Sequence, residues 1–292
     1  MSKPKSIDLS AHDVGNRVAV LTVADRGRAG EIDPTAAAFF DIDNTVLRGA
    51  SGFFLARGLA KRDFLTTAEM ASFAWMQAKF LLAGNESMED FRKVTESALG
   101  IVKGQHVDEI NAIADEVFEE YMVDKLWPGT LALAQSHLDI GQRVWLVSAT
   151  PIEVAQVIAD RLGLSGALGT RAQLIDGRYT GKLMGLPMHG LAKAEAIREL
   201  AAAEGLDLKR CSAYSDSEND IPMLSLVGNP CAVNPDRVLR DHARTQGWQI
   251  RDFRSRRFAL QIGVPTAAAL GLATGILIGA AITRTPSPHS PT

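Results

Sequence analysis

The sequence predicts an α/β fold: a doubly wound parallel sheet, an inserted helical cap and a C-terminal transmembrane helix. Three observations predict it. Apolar runs and helical segments alternate between residues 128 and 247, the order that builds a parallel sheet through crossover helices. A helical stretch, 49–127, interrupts this alternation directly after the first apolar run. From Phe258 to Thr283 there is no Asp, Glu, Lys, Arg or His, and a helix over Ile262–Ile282 would be about 31 Å long at ~1.5 Å per residue. That matches a hydrocarbon core of about 30 Å.

Each element has a local reason. Residues 1–33 form an N-terminal extension, whose apolar stretch Val18–Val23 fits either a loosely attached strand or an amphipathic tether. Ala36–Ile42 is nearly all apolar and reads as a buried strand. Within 49–127, Ile110, Ile113, Val117, Phe118 and Tyr121 recur near helical spacing. Pro128 suits the first turn of a new helix. Arg143–Ser148 is a strand, and Pro151–Leu162 a helix ending at Gly163. Gln173–Thr180 is a hairpin around Asp176-Gly177. Leu191–Glu204 is a helix closed by Gly205. Arg210–Ser215 and Cys231–Val233 are strands, with a short helix over 221–227 between them.

Composition narrows the function. A hydrophobic fraction of 46% with 22% charged residues belongs to a globular chain rather than a disordered one. A formal net charge of -3 gives no field that draws the chain to nucleic acid. Two cysteines, Cys211 and Cys231, are too few for a secreted disulfide framework. The first residues lack the apolar core of a signal peptide.

Four polar motifs then stand in order. Asp41-Ile42-Asp43-Asn44-Thr45 follows the first apolar run, and Ser148 follows Val144–Val147. Lys193 opens a helix, and Asp216-Ser217-Glu218-Asn219-Asp220 follows Cys211–Ser215. Open α/β sheets bind ligands beyond the carboxyl ends of their strands, so these motifs can converge. Alone, each has a plainer reading: turn aspartates, a loop serine, a solvated lysine, a helix cap. Together they describe a phosphate site. Asp41 is the candidate nucleophile, able to form an acyl phosphate once phosphoryl charge is neutralised. Asp43 is the candidate general acid and base. Thr45 holds the loop. Ser148, with the backbone N–H groups of Ala149 and Thr150, and Lys193 would bind the phosphoryl oxygens. Mg²⁺ is the expected cofactor, drawn by Asp41, Asp43, Asp216 and Asp220.

At these residues the chain resembles the haloacid dehalogenase-like hydrolase superfamily, most closely its phosphoserine phosphatase-type branch (subfamily IB). The resemblance rests on D-I-D-N-T, V-S-A-T, L-A-K-A-E and D-S-E-N-D-I-P-M-L, with Asp176–Gly181 similar to the substrate-side hairpin of that branch. It covers roughly residues 34–247. It implies a Rossmann-like core and metal binding by Asp41, Asp216 and the backbone carbonyl of Asp43. Asn219 and Asp220 become metal-shell or site-orienting residues. Phosphoserine phosphatases carry a glutamate nine residues past the nucleophile, where this chain has Ala50. Arg92 is the candidate cap residue for a substrate anion.

The expected organisation is an extension at 1–33, a core at 34–48 and 128–247, and a cap at 49–127. A basic linker at 248–259, a transmembrane helix at 260–283 and a disordered tail at 284–292 follow. Gly271, Gly275 and Gly279 share a helical face that would let two such helices pair as a homodimer. Arg251, Arg254, Arg256 and Arg257 before the span place the catalytic part on the cytoplasmic side of the inner membrane. The expected activity is Mg²⁺-dependent hydrolysis of a small phosphorylated metabolite or lipid precursor through an aspartyl-phosphate. The alternatives are a phosphotransferase or mutase on the same scaffold, or a membrane-tethered, non-catalytic interaction module.

Overall fold

In the computed structural model, residues 33–64 and 88–254 are described. Six strands form one parallel sheet: β1 (Ala37–Phe40), β2 (Arg143–Pro151), β3 (Gly166–Thr170), β6 (Ser212–Ser215), β7 (Asn229–Val233) and β8 (Gln249–Arg251). Their spatial order is β3-β2-β1-β6-β7-β8. From β1 the chain builds outward to β3, then returns to β6 on the other side of β1. The topological switch point, where such sheets bind ligands, therefore lies between β1 and β6.

Both faces of the sheet are covered. All four residues of β1 are buried, as expected of a strand with helices on both sides. Alternation divides its side chains. Ala38 and Phe40 join a core with Leu55, Leu59, Ile110, Val117, Val154 and Ile158. Ala37 and Phe39 join the opposite core with Ile197, Met223, Leu224, Leu239 and Ala243.

The first core receives the inserted helices: α1 (Ser51–Ala60), α2 (Met88–Ile101) and α3 (Val107–Val117). A π-helical turn at Phe118–Met122 and a 3-10 turn at Val123–Lys125 lead to α4 (Pro128–Asp139), with Pro128 in its first turn. α5 (Ile152–Arg161) follows β2 directly. The second core receives α6 (Leu191–Glu204), α7 (Ile221–Leu224) and α8 (Arg237–Gln246).

The predicted hairpin is β4 (Ala172–Ile175) with β5 (Arg178–Leu183). Asp176 at φ 49° and Gly177 at φ 73° supply the two left-handed residues of its turn. Its edge docks on the α2–α3 connection. Val107 N–H donates to Gly177 O at 2.8 Å, Gly104 N–H to Tyr179 O at 2.8 Å, and Tyr179 N–H to Gln105 O at 3.0 Å.

Two expectations are corrected. The sheet continues beyond 247, where the sequence reading places a basic linker. Gln249–Arg251 is β8, paired with β7 through Cys231 to Gln249 and Val233 to Arg251. Three residues ending in arginine are too short to show alternation, and the neighbouring strand imposes the conformation. The single-pass inner-membrane localisation is also corrected: among the described residues no helix is long and apolar enough to cross a membrane. The stretch 260–283 on which it rested, with its glycine face, lies outside the described residues, as do residues 1–32 and the tail 284–292. Described residues 33–64 and 88–253 belong to one compact unit.

Candidate active site

The register of β1 and β6 places the acidic motifs side by side. Phe40 pairs with Tyr214, and Asp41 N–H continues the ladder by donating to Tyr214 O at 2.9 Å. Asp41 and Asp216 thus leave adjacent strands at the switch point. Thr45 Oγ1 donates to Asp216 Oδ1 at 3.4 Å, tying the two loops together. Thr45 is itself fully buried, with Thr130 Oγ1 donating to its carbonyl at 2.7 Å.

Lys193 enters from the first turn of α6 and is 3% exposed. Its Nζ donates to Asp41 Oδ1 at 2.6 Å and to Asp220 Oδ2 at 2.7 Å. Ser215 Oγ donates to the same Asp220 oxygen at 2.7 Å. Burial works against the ammonium, but Asp220 and Asp41 outweigh it, and the Lys193 pKa rises. Burial also dominates at Asp41. Lys193 pulls its pKa down while Asp220 and Asp43 push it up, and the net value is about 7. At Asp216, burial and then the charges of Asp41 and Asp220 push the pKa up to about 8. Burial raises Asp43 too, against the hydrogen bond from Ser51. One lysine does not balance this much negative charge in so dry a place.

Asp43 is half-buried, and its Oδ1 accepts Ser51 N–H at 2.8 Å. Ser51 Oγ lies 2.6 Å from Thr150 Oγ1, and Thr150 Oγ1 lies 2.9 Å from Ser148 Oγ. A hydroxyl chain therefore links the Asp43 loop to the end of β2. Thr150 N–H, expected to face a phosphate, donates to Ser148 Oγ at 3.2 Å instead. Ala149 is half-buried, and its carbonyl accepts Thr170 Oγ1 at 2.7 Å.

Other expected residues stand elsewhere. Asn219 is exposed, and its Nδ2 donates to Ser217 Oγ at 3.3 Å, away from the carboxylates. Arg92 is exposed on α2 and pairs with Glu96 one turn on, at 3.9 Å. Among the described residues, no group of three or more His, Cys, Asp or Glu side chains is arranged to hold a metal ion. Asp220, one of the expected metal residues, accepts instead from Lys193 Nζ and Ser215 Oγ. Sequence reasoning missed the hydroxyls of Ser51, Thr150 and Ser215; Ser215 beside Asp216 and Thr150 two residues past Ser148 stand near a motif residue, whereas Ser51 does not.

A family model for haloacid dehalogenase-like hydrolases matches residues 38–225. The phosphoserine phosphatase SerB1 of Mycobacterium tuberculosis (strain ATCC 25618 / H37Rv) is 50% identical over 282 residues, covering 96% of this chain and 92% of the relative. A probable phosphatase of the same strain, Rv3661, is 35% identical over 248 residues, covering 83% of this chain and 84% of the relative. The crystal structure of a protein of unknown function from Bordetella pertussis Tohama I matches with TM-score 0.67 and 29% identity, over 75% of this chain and 98% of that one. With its motifs gathered at the switch point and its family model spanning most of the fold, the chain belongs to the haloacid dehalogenase-like hydrolases, in their phosphoserine phosphatase-type branch, and is a phosphoric monoester hydrolase.

Proposed function

We propose that this phosphatase depends on Mg²⁺ and works through an aspartyl-phosphate on Asp41. The observation that carries the reading is the buried bridge from Lys193 Nζ to Asp41 Oδ1 and Asp220 Oδ2, at 2.6 and 2.7 Å. It fixes one oxygen of Asp41 and leaves Oδ2 to attack phosphorus. A bond forms between Oδ2 and phosphorus as the bond from phosphorus to the ester oxygen breaks. Asp43 gives its proton to the departing alkoxide. Its raised pKa favours that proton, and Ser51 N–H, bonded to Oδ1, leaves Oδ2 to carry it. Water then attacks phosphorus, Asp43 takes the water proton, and the bond from phosphorus to Asp41 breaks. Ser148, Lys193 and the Ala149 amide hold phosphoryl oxygens in this reading.

The donor set fits a hard divalent cation: two carboxylates at adjacent strand ends, both with pKa raised by burial and by neighbouring carboxylates. Asp41, Asp216 and the Asp43 carbonyl would hold Mg²⁺, which would supply the charge that neutralises the phosphoryl group. Asp220 positions Lys193, and Thr45 joins the two acidic loops. The described helices α1, α2 and α3 act as a cap over this site.

The substrate in this reading is a small phosphorylated metabolite. The lipid-precursor alternative rested on the membrane span and is not carried further. Phosphoserine, named for the mycobacterial relative, is the first ester to test, because residues 50–52 offer no carboxylate to an ammonium group. The experiment is a panel of phosphate monoesters with wild type and Asp41→Asn, each with and without EDTA. Hydrolysis lost under both treatments is expected. Activity that survives both overturns the aspartyl-phosphate reading.

A further inference from the structure

Asp216 and Asp236 lie at the same end of the sheet because β6 and β7 are parallel neighbours, with Ser215 opposite Ala232. Directly after β7 the chain turns at Asn234, whose φ of 48° is left-handed, a conformation that asparagine tolerates better than most residues. The three residues that follow the strand, Asn234-Pro235-Asp236, reach both acidic loops. Asp236 N–H donates to Asp216 O at 2.8 Å. Asp236 Oδ2 accepts Glu218 N–H at 2.7 Å. Asp236 thus holds the Asp216 loop on both sides of Ser217. Asn234 is 2% exposed, and its Nδ2 donates to Asn44 O at 3.4 Å, in the loop that carries Asp41 and Asp43. Its Oδ1 accepts Phe253 N–H at 2.7 Å, and its own N–H donates to Arg251 O at 2.7 Å, so it is anchored to the chain after β8.

Asp236 also caps α8: its Oδ1 accepts Leu239 N–H at 2.7 Å. A cap needs one oxygen only. The second oxygen crosses to Glu218, in a different loop. A serine or asparagine cap serves a helix as well and adds no negative charge beside an acidic cluster. The carboxylate is explained by having two backbone amides to accept at once, as charge-assisted hydrogen bonds.

We propose that residues 234–236 are a clamp that sets the separation of the Asp41 and Asp216 loops, with Asp236 as its positioning residue. The inference rests on the reading of Asp41 and Asp216 as the pair that holds the cation. Asp236 touches neither substrate nor ion; it acts through the backbone that presents Asp216.

The test uses the full chain with Asp236→Asn and Asp236→Ser. Each keeps one oxygen for the α8 cap, and neither has a second acceptor for Glu218 N–H. Three quantities are read: Mg²⁺ affinity by calorimetry, hydrogen exchange at the Glu218 amide, and kcat/KM. Residues that orient a metal ligand typically change affinity or activity by about 10- to 100-fold. The expected result is about tenfold weaker Mg²⁺ binding and about tenfold faster Glu218 exchange, with Tm within about 2 °C of wild type. Unchanged affinity and unchanged exchange in both variants overturn the clamp. If the wild type itself binds no Mg²⁺, the metal reading fails, and the clamp is judged on Glu218 exchange and kcat/KM. Should Asp236→Asn not fold, Asp236→Ser decides.

Discussion

Lys193→Met removes the only cation seen bonded to Asp41 and Asp220 among the described residues, and leaves two buried carboxylates facing each other. Removing one partner of a buried ion pair costs about 3–5 kcal/mol. For a chain of this size ~1 kcal/mol moves Tm by roughly 2–4 °C, so a fall of about 10 °C is expected at pH 8. The loss depends on pH, and its sign follows from Asp41. Its folded pKa, about 7, already stands above the ordinary value for aspartate, 3.8, and Lys193 is what lowers it. Without the lysine it rises further. A carboxylate whose folded pKa is raised contributes stability below its unfolded pKa and loses it as pH rises through the folded value. At pH 5 Asp41 carries its proton in both proteins, so its part of the deficit is flat there. That part grows only as pH rises above about 7, by about 1.4 kcal/mol per pH unit, where Asp41 ionises in the wild type and stays protonated in the variant. The assay is calorimetric melting of both proteins in EDTA at pH 5, 6, 7 and 8, so that no added cation fills the gap. A deficit that stays constant over this range, or one below about 2 °C at pH 8, refutes the reasoning. Activity at pH 7 falls at least about 100-fold, since a preorganised charge aimed at the phosphoryl group is lost.

The metal-free wild type loses Tm as pH rises through about 7 and 8, the raised values of Asp41 and Asp216, and Mg²⁺ flattens that slope; melts with EDTA and with excess Mg²⁺ check it. Thr150→Val strands the buried hydroxyl of Ser51 and leaves Ser148 Oγ only the backbone N–H of residue 150, at a cost of about 1–3 kcal/mol. Tm falls by several degrees and kcat falls with it, which melting and steady-state kinetics check. Arg92→Ala changes kcat/KM by less than about twofold, because an exposed i,i+4 pair contributes about 0.3–0.5 kcal/mol; a larger fall in the phosphate-release assay restores Arg92 to the substrate.

The elements that position the site are legible because each carries punctuation. Gly205 ends α6 with φ 66°, a conformation glycine adopts without strain. Asp176-Gly177 forces the hairpin turn, and Pro128 sits where a helix start tolerates it. The strands that escape notice lack such signs. β3 reads Gly-Ala-Leu-Gly-Thr, a weak strand signal by residue type. It contains Gly169 because a side chain there would meet Ile152 Cα at 2.8 Å, at the start of α5. Close packing chose that residue against its own propensity. β8 is a strand only because β7 offers it a ladder.

The carboxylates of the site are legible for a related reason: residue type and strand end together state a role. The groups that hold them are not. Asn219 stands beside Asp220 in the sequence, which suggests a shared task. In the 3-10 turn Glu218–Asp220 successive residues are about 120° apart. Asp220 therefore points inward, 2% exposed, and its neighbour faces out. Ser51 meets Thr150 across 99 positions, a contact no local pattern encodes. Asp236 is the sharpest case. Read locally, Asn234-Pro235-Asp236 before a helix is turn chemistry followed by a cap, and that reading is correct for one of its oxygens. The other oxygen accepts a backbone N–H, a group that nearly every residue owns, so the partner has no signature. What selects Glu218 is the adjacency of β6 and β7. That adjacency comes from the return of the chain across β1, which is a property of the whole sheet rather than of any segment.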